Sequence, residues 1–183
     1  MNWRSIAVFC GSQTGSNPLF AQHARQLGEY MGTNGITLIY GGGNKGLMGA
    51  VADAVMQKGG RVSGIIPEIL IGWEQQHTGI TDLQVVADMH ARKKIMYDLC
   101  DAAIILPGGN GTLDEMFEML TWNTLKIHNK KIILLNTAGF YKHLINHLNE
   151  MQQSGFLYEN WAERIYIADT SQQIIALMDE DKS

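Results

Sequence analysis

Apolar residues along this chain follow two spacings that alternate from end to end. Seven short runs are almost continuously apolar and rich in Val and Ile: SIAVFC (5–10), ITLIY (36–40), RVSGII (61–66), LQVVAD (83–88), AAIILP (102–107), KIILLN (131–136) and RIYIAD (164–169). Such runs, bounded by Gly, Pro, Asn or Asp, predict strands, and continuous apolarity predicts strands covered on both faces. Between them, apolar residues recur at three- and four-residue intervals, the spacing of a helix with one buried face.

The helix ends are also written in the chain. Asn17 is placed to cap the first helix, with Pro18 in its first turn and Leu19, Phe20, Ala24, Leu27 and Met31 as its buried stripe. A second helix runs from Leu47 to Lys58 and stops at Gly59-Gly60, where glycine supplies a C-cap. Asp88 caps a third, Met89 to Cys100, and Thr112 a fourth that reaches Ile127; a fifth spans Phe140 to Ser154, and Ser171 caps the last. Gly72 to Thr81 is the one long irregular stretch. Strands alternating with crossover helices predict an α/β fold, a Rossmann-like doubly wound, mostly parallel sheet with helices on both faces, in a single domain over residues 1–183.

Composition narrows the possible partners. Of 183 residues, 45% are hydrophobic and 17% charged, which suits one globular domain with a substantial core. A net charge of −4 gives no overall basic field, so neither nucleic acid nor an anionic membrane is an expected partner. Cys10 and Cys100 lie in apolar runs without metal or disulfide spacing, which points to a reducing, cytoplasmic setting. The apolar run near the N-terminus is too short for a signal segment or a membrane span.

Two strand-to-helix turns are glycine-rich. In an open α/β sheet, ligands bind beyond the carboxyl ends of the strands, where helix N-termini attract anions. In YGGGNKGLMG (40–49), Gly41, Gly43 and Gly46 satisfy G-x-G-x-x-G. The motif follows the second strand, and the run Arg61 to Ile66 lacks the acid that a dinucleotide site uses, so classical NAD binding is disfavoured. In LPGGNGTLDE (106–115), Pro107 stops a strand, Gly108 and Gly109 bend the chain, and Gly111-Thr112 opens a helix. Thr112 and Glu115 have capping-box spacing, which can explain this turn without any ligand; an anion held by the helix amides is the other explanation.

The basic cluster in DMHARKKIM (88–96) favours the second explanation. Arg92, Lys93 and Lys94 stand near the start of their helix, where the dipole disfavours cations. Arg92 and Lys93 are expected to meet an anion there, a phosphate or a neighbouring carboxylate, and Lys94 to face solvent. Two glycine turns, a positioned arginine and Glu115 at a helix start suit cleavage at a sugar carbon, because an anion stabilises an oxocarbenium-like transition state and activates water. His77, His90, His128, His143 and His147 are too scattered for a metal site and are expected at the surface or in helix packing. Met48 is expected in the core, and Trp122 at a core or subunit boundary.

At this point the chain resembles the Lonely Guy (LOG) family. PGGNGTLDE (107–115) is similar to that family's P-G-G-x-G-T-x-x-E signature, MHARK (89–93) to its M-H-x-R-K, and the separation of the two also matches. CGS (10–12), GGGNKGLMG (41–49) and TWNTLKIHNKKIILLN (121–136) look like further family elements. The resemblance implies a cytokinin riboside 5′-monophosphate phosphoribohydrolase, or a relative acting on AMP-like nucleotides, that is a homodimer and needs no redox cofactor or metal. It implies catalysis by Arg92 and Glu115. Substrate contacts are implied at Lys93, at Gly108, Gly109, Asn110, Gly111 and Thr112, at Leu113, Asp114 and Thr121, and at Ser12, Gly42, Gly43 and Glu74. A pyridoxal-phosphate decarboxylase is not supported, since no lysine sits in a Schiff-base context. The competing expectation is a nucleotide or molybdenum-cofactor carrier on the same fold, which would need the glycine turns without the Arg92 and Glu115 pair.

Overall fold

The computed structural model describes residues 3–180, apart from the side chains of Trp73 and Glu74. All seven expected strands form, as β1 (Ser5–Phe9), β2 (Thr37–Tyr40), β3 (Val62–Pro67), β4 (Asp82–Val86), β5 (Ala102–Ile105), β6 (Lys131–Leu135) and β7 (Ile165–Ala168). They make one parallel sheet in the order β4-β3-β2-β1-β5-β6-β7. The described residues form six α-helices, of which five connect strands and the last follows β7: α1 (Pro18–Thr33), α2 (Gly46–Gln57), α3 (Met89–Leu99), α4 (Asn110–Thr124), α5 (Lys142–Gln153) and α6 (Ser171–Glu180).

Alternation along each strand divides the core in two. Ile6 and Val8 of β1 face α1, α2 and α6 through Leu27, Val51 and Ile174, while Ala7 and Phe9 face α3, α4 and α5 through Met96, Met116 and Leu148. Both faces of the central strands β1, β2, β5 and β6 are therefore dry, which is what their continuous apolar runs require, while the edge strands β4 and β7 are partly exposed. Helices α1 and α2 approach closely because Gly28 and Gly32 carry no side chain: a Cβ on them would lie 2.5 and 2.6 Å from the Val51 and Val55 carbonyl oxygens.

Several helix ends form as expected. Asn17 accepts a bond from the Leu19 amide and Asp88 from the Ala91 amide. Helix α2 ends in a Schellman arrangement, with Gly59 at φ +75° and the Gly60 amide donating to the Val55 carbonyl. Other ends differ. Thr112 does not cap α4; the cap is Gly109, three residues earlier, so the capping box with Glu115 does not form. Thr170, not Ser171, accepts from the Gln173 amide, and the Ser171 hydroxyl instead donates to Gln26. Leu19 is exposed, not buried. Helix α5 begins at Lys142 and not Phe140, because the left-handed Ala138 and Gly139 make a turn before it. The stretch expected to be irregular, Gly72 to Thr81, begins inside a π turn, Ile71–Gln75, which follows a 3-10 turn at Glu68–Leu70, and it is then fastened by His77. His77 is buried and bonds Asp53, and its amide donates to the Gly42 carbonyl.

Candidate active site

The strand order reverses direction between β1 and β5, and the helices that follow them leave to opposite faces of the sheet. That divergence opens a crevice at the carboxyl edge. A cavity of about 330 Å³ occupies it, bounded by Cys10 to Ser12 after β1, Gly41 after β2, Met48 on α2, Leu70, Met89 and Arg92 on α3, and Gly109 to Thr112 with Glu115 on α4.

The floor of the cavity is the start of α4. The first helical bond runs from the Leu113 amide to the Gly109 carbonyl at 3.2 Å, so the amides of Asn110, Gly111 and Thr112 precede the helical ladder. Amides in those positions have no helical acceptor and carry the positive end of the helix dipole, an arrangement suited to an anion. Gly108 is needed beside them: a Cβ there would stand 2.1 Å from the Thr112 hydroxyl oxygen and 2.9 Å from the Gly11 amide nitrogen.

Arg92 and Glu115 face each other across this cavity, each at most 6% exposed. The Arg92 Nη2 and Glu115 Oε1 atoms are 3.8 Å apart, an ion pair at the far end of its range. Sequestered from water, that pair interacts more strongly than a surface pair of equal length. The guanidinium is seated by its surroundings. Nη1 lies 3.8 Å from the Met89 sulfur, and a Cβ on Gly41 would stand 1.9 Å from Nη2. Met48, a core residue as expected, also lines the cavity, so packing and site share it.

Lys93 is buried but lies outside the cavity lining. It binds Asp114 at 3.1 Å and Glu118 at 2.9 Å, joining α3 to α4. Burial pulls its ammonium pKa down, and the Glu118 and Asp114 carboxylates outweigh that pull and hold it above the usual lysine value. Tyr97, next along the same helix face, has its hydroxyl 3.0 Å from Glu118 Oε2 and 3.1 Å from the Glu115 carbonyl oxygen. Lys94 is exposed and pairs with Asp98 four residues on.

The expected site residues thus separate into groups. The structure gathers Ser12, Arg92, Gly109, Asn110, Gly111, Thr112 and Glu115 around one cavity. It places Gly108 immediately behind them, on a neighbouring apolar cavity. Lys93, Leu113 and Asp114 serve the α3–α4 contact instead. Gly42 and Gly43 do not line the cavity: Gly42 packs against Ile66 and Leu83, and Gly43 pairs with Gln76. Thr121 lies away from it, its hydroxyl donating to the Phe117 carbonyl beside a separate apolar groove. The side chain of Glu74 falls outside the described residues. In the first glycine turn the Asn44 amide donates to the Gln75 carbonyl and the Leu47 amide to the Gly11 carbonyl, and Gly41 makes room for Arg92. Gly41, Met89 and Leu70 line the cavity without having been singled out. Gly41 carried a signal, as the first glycine of its motif; Leu70 carried none.

Comparison with known proteins agrees with this geometry. Residues 48–178 match the family model described as "Possible lysine decarboxylase". The cytokinin riboside 5′-monophosphate phosphoribohydrolase of Rhodococcoides fascians is 40% identical over 174 residues, covering 94% of this chain and 88% of that protein. An Arabidopsis thaliana protein of the same name is 40% identical over 178 residues, 97% of this chain and 83% of the relative. This chain belongs to the Lonely Guy family. Its fold is also that of the molybdenum cofactor binding protein from Rippkaea orientalis, with a TM-score of 0.74 at 23% identity over 100% of this chain and 99% of the other. The molybdenum cofactor carrier protein from Chlamydomonas reinhardtii matches with a TM-score of 0.72 at 20% identity, covering 96% of each chain. At those identities the likeness is one of fold, and the Lonely Guy relatives carry the closer similarity in sequence.

Proposed function

We propose that this protein hydrolyses the N-glycosidic bond of nucleoside 5′-monophosphates, cytokinin riboside 5′-monophosphates and AMP-like nucleotides among them, to free base and ribose 5-phosphate. The observation that carries the reading is the enclosure of Arg92 and Glu115 in one cavity with the leading amides of α4. The 5′-phosphate is held by the Asn110, Gly111 and Thr112 amides, with Ser12 beside them, which pins the sugar against Glu115. As the bond from the anomeric carbon to the base nitrogen breaks, its electron pair leaves with the base. The Glu115 carboxylate stabilises the positive charge that develops on the ribosyl ring and takes a proton from the attacking water, whose oxygen bonds the anomeric carbon; that proton passes on to the departed base nitrogen, which releases the neutral base and restores the carboxylate. Arg92 orients the Glu115 carboxylate and the ribose hydroxyls. The reaction consumes one water and requires no redox step.

The protein is further proposed to act as a homodimer in the reducing cytoplasm. Phe156 and Tyr158 are exposed on the apolar groove that holds Thr121, a face suited to a second copy. Among the described residues no helix is long and apolar enough to cross a membrane.

The test is incubation with AMP and with isopentenyladenine riboside 5′-monophosphate, following free base and ribose 5-phosphate by chromatography. Release of base in equal amount to ribose 5-phosphate is expected. A tight nucleotide complex without turnover would instead support a carrier.

A further inference from the structure

We propose that Tyr97 is a positioning residue for Glu115: its hydroxyl, set against the Glu118 carboxylate and the Glu115 carbonyl, fixes where the Glu115 side chain stands relative to Arg92. The proposal rests on the hydrolase reading for its kinetic consequence.

Lys93 and Tyr97 are four residues apart on α3 and share one face of it, as Asp114 and Glu118 do on α4. Those two faces meet. Lys93 Nζ reaches Asp114 Oδ2 and Glu118 Oε2, and the Tyr97 hydroxyl reaches Glu118 Oε2 and the Glu115 carbonyl oxygen. Arg92 immediately precedes Lys93, and Glu115 immediately follows Asp114. Each is turned by about 100° from this ladder, and both project into the cavity beside it. The ladder therefore sets the spacing of the helices from which the two site residues extend.

Tyr97 is the member of the ladder that touches the Glu115 backbone. It is fully buried, and its ring is wedged edge-on between Phe9, with centroids 6.0 Å apart, and Trp122, at 5.2 Å. The ring packing aims the hydroxyl. Burial, reinforced by the Glu118 carboxylate, pushes the phenol pKa far up, so the proton remains available to donate at any working pH. Glu118 in turn is held from the other side by Lys93. A phenylalanine at position 97 would keep the ring contacts and remove only the hydroxyl, so the fold is expected to survive the substitution.

The experiment compares full-length wild type and Tyr97→Phe for base release from AMP. The expected result is a fall in kcat of about tenfold, equivalent to about 1.4 kcal/mol in the barrier, with KM changed by less than about twofold, because the phosphate is held by amides that the hydroxyl does not touch. Glu118→Gln, which preserves an acceptor for Tyr97, is expected to retain more activity than Glu118→Leu, and the difference should shrink in the Tyr97→Phe background to what the Lys93 contact alone contributes. A lower Tm with unchanged kcat would overturn the proposal in favour of a structural role, as would parallel changes in kcat and KM. Wild type that releases no base would sink the hydrolase reading separately. In that case the Glu115 carboxyl titration, followed by carbon-13 NMR, decides the positioning: a midpoint that is the same in wild type and Tyr97→Phe overturns it.

Discussion

Gly41 and the tip of Arg92 compete for one space. A methyl group on Gly41 would overlap Nη2, and the atom in its way is the end of a flexible side chain, so the guanidinium moves and the backbone does not. Gly41→Ala is therefore expected to leave the Tm within about 2 °C of wild type while lowering kcat/KM at least tenfold, measured by base release; a shift of about 1 Å in a site group suffices for such a loss. Glu115→Gln tests the chemistry itself. It preserves shape and removes the charge, and turnover is expected to fall by about 10²-fold or more with thermal unfolding unaltered. A fully active Glu115→Gln enzyme would contradict the role assigned to the carboxylate. At this scale the pairing of Arg92 with Glu115 in one cavity was legible because two motifs at a fixed separation named both residues. What Thr112 does was not legible, since capping-box spacing is the same whether the helix starts at Thr112 or three residues before it. Gly41 was hidden for a related reason: a glycine that admits a distant arginine and one that cradles a phosphate look alike in a sequence.

The elements α3 and α4 share an apolar core and are also joined by the Lys93 ion pairs, and that charged part makes their contact depend on pH. The folded-state pKa of Lys93 is raised, so its stabilising contribution is complete below the unfolded lysine value and is lost as pH rises through the folded one. Lys93→Met is expected to destabilise the protein by about 1 to 2 kcal/mol, a figure held down by the partial exposure of Glu118 and Asp114. The difference from wild type should stay constant between about pH 7 and 9 and shrink above about pH 10, as read from urea unfolding at each pH. A difference that grows in alkali would refute the assignment. At the start of α3, Asp88→Ala removes the bond to the Ala91 amide and should cost about 1 kcal/mol. The central strands were legible because burial on both faces leaves them almost continuously apolar; the edge strands β4 and β7, partly exposed, still carry enough Val, Ile and Leu to show. Helix starts were legible where a side chain caps, as at Asn17 and Asp88, and were missed where backbone alone does so, as at Gly109. The helical turns of Glu68 to Gln75 had no periodic pattern to betray them.

In the whole molecule, the two ends of α4 face different surroundings, the cavity at its start and the apolar groove near its end. The helix begins at the cavity with Asn110, and at a rise of 1.5 Å per residue Thr121 lies roughly 14 Å along the axis from Thr112, with Leu125 and Ile127 farther still. Thr121, expected to contact substrate, therefore cannot serve the cavity of its own chain; a nucleotide within its reach would be bound to a second copy. Phe156 and Tyr158 are 79% and 98% exposed, beside the groove that contains Thr121. Apolar exposure of that kind is the mark of a surface that is covered in the functional state. Sedimentation equilibrium should show two chains of 20.3 kDa associated in wild type and single chains in the double variant Phe156→Asp with Tyr158→Asp. Wild type sedimenting as a monomer would refute the dimer. In the dimer, Thr121→Ala is expected to raise KM for AMP several-fold; in the monomeric variant it should change nothing, because no neighbouring cavity is then present for it to complete.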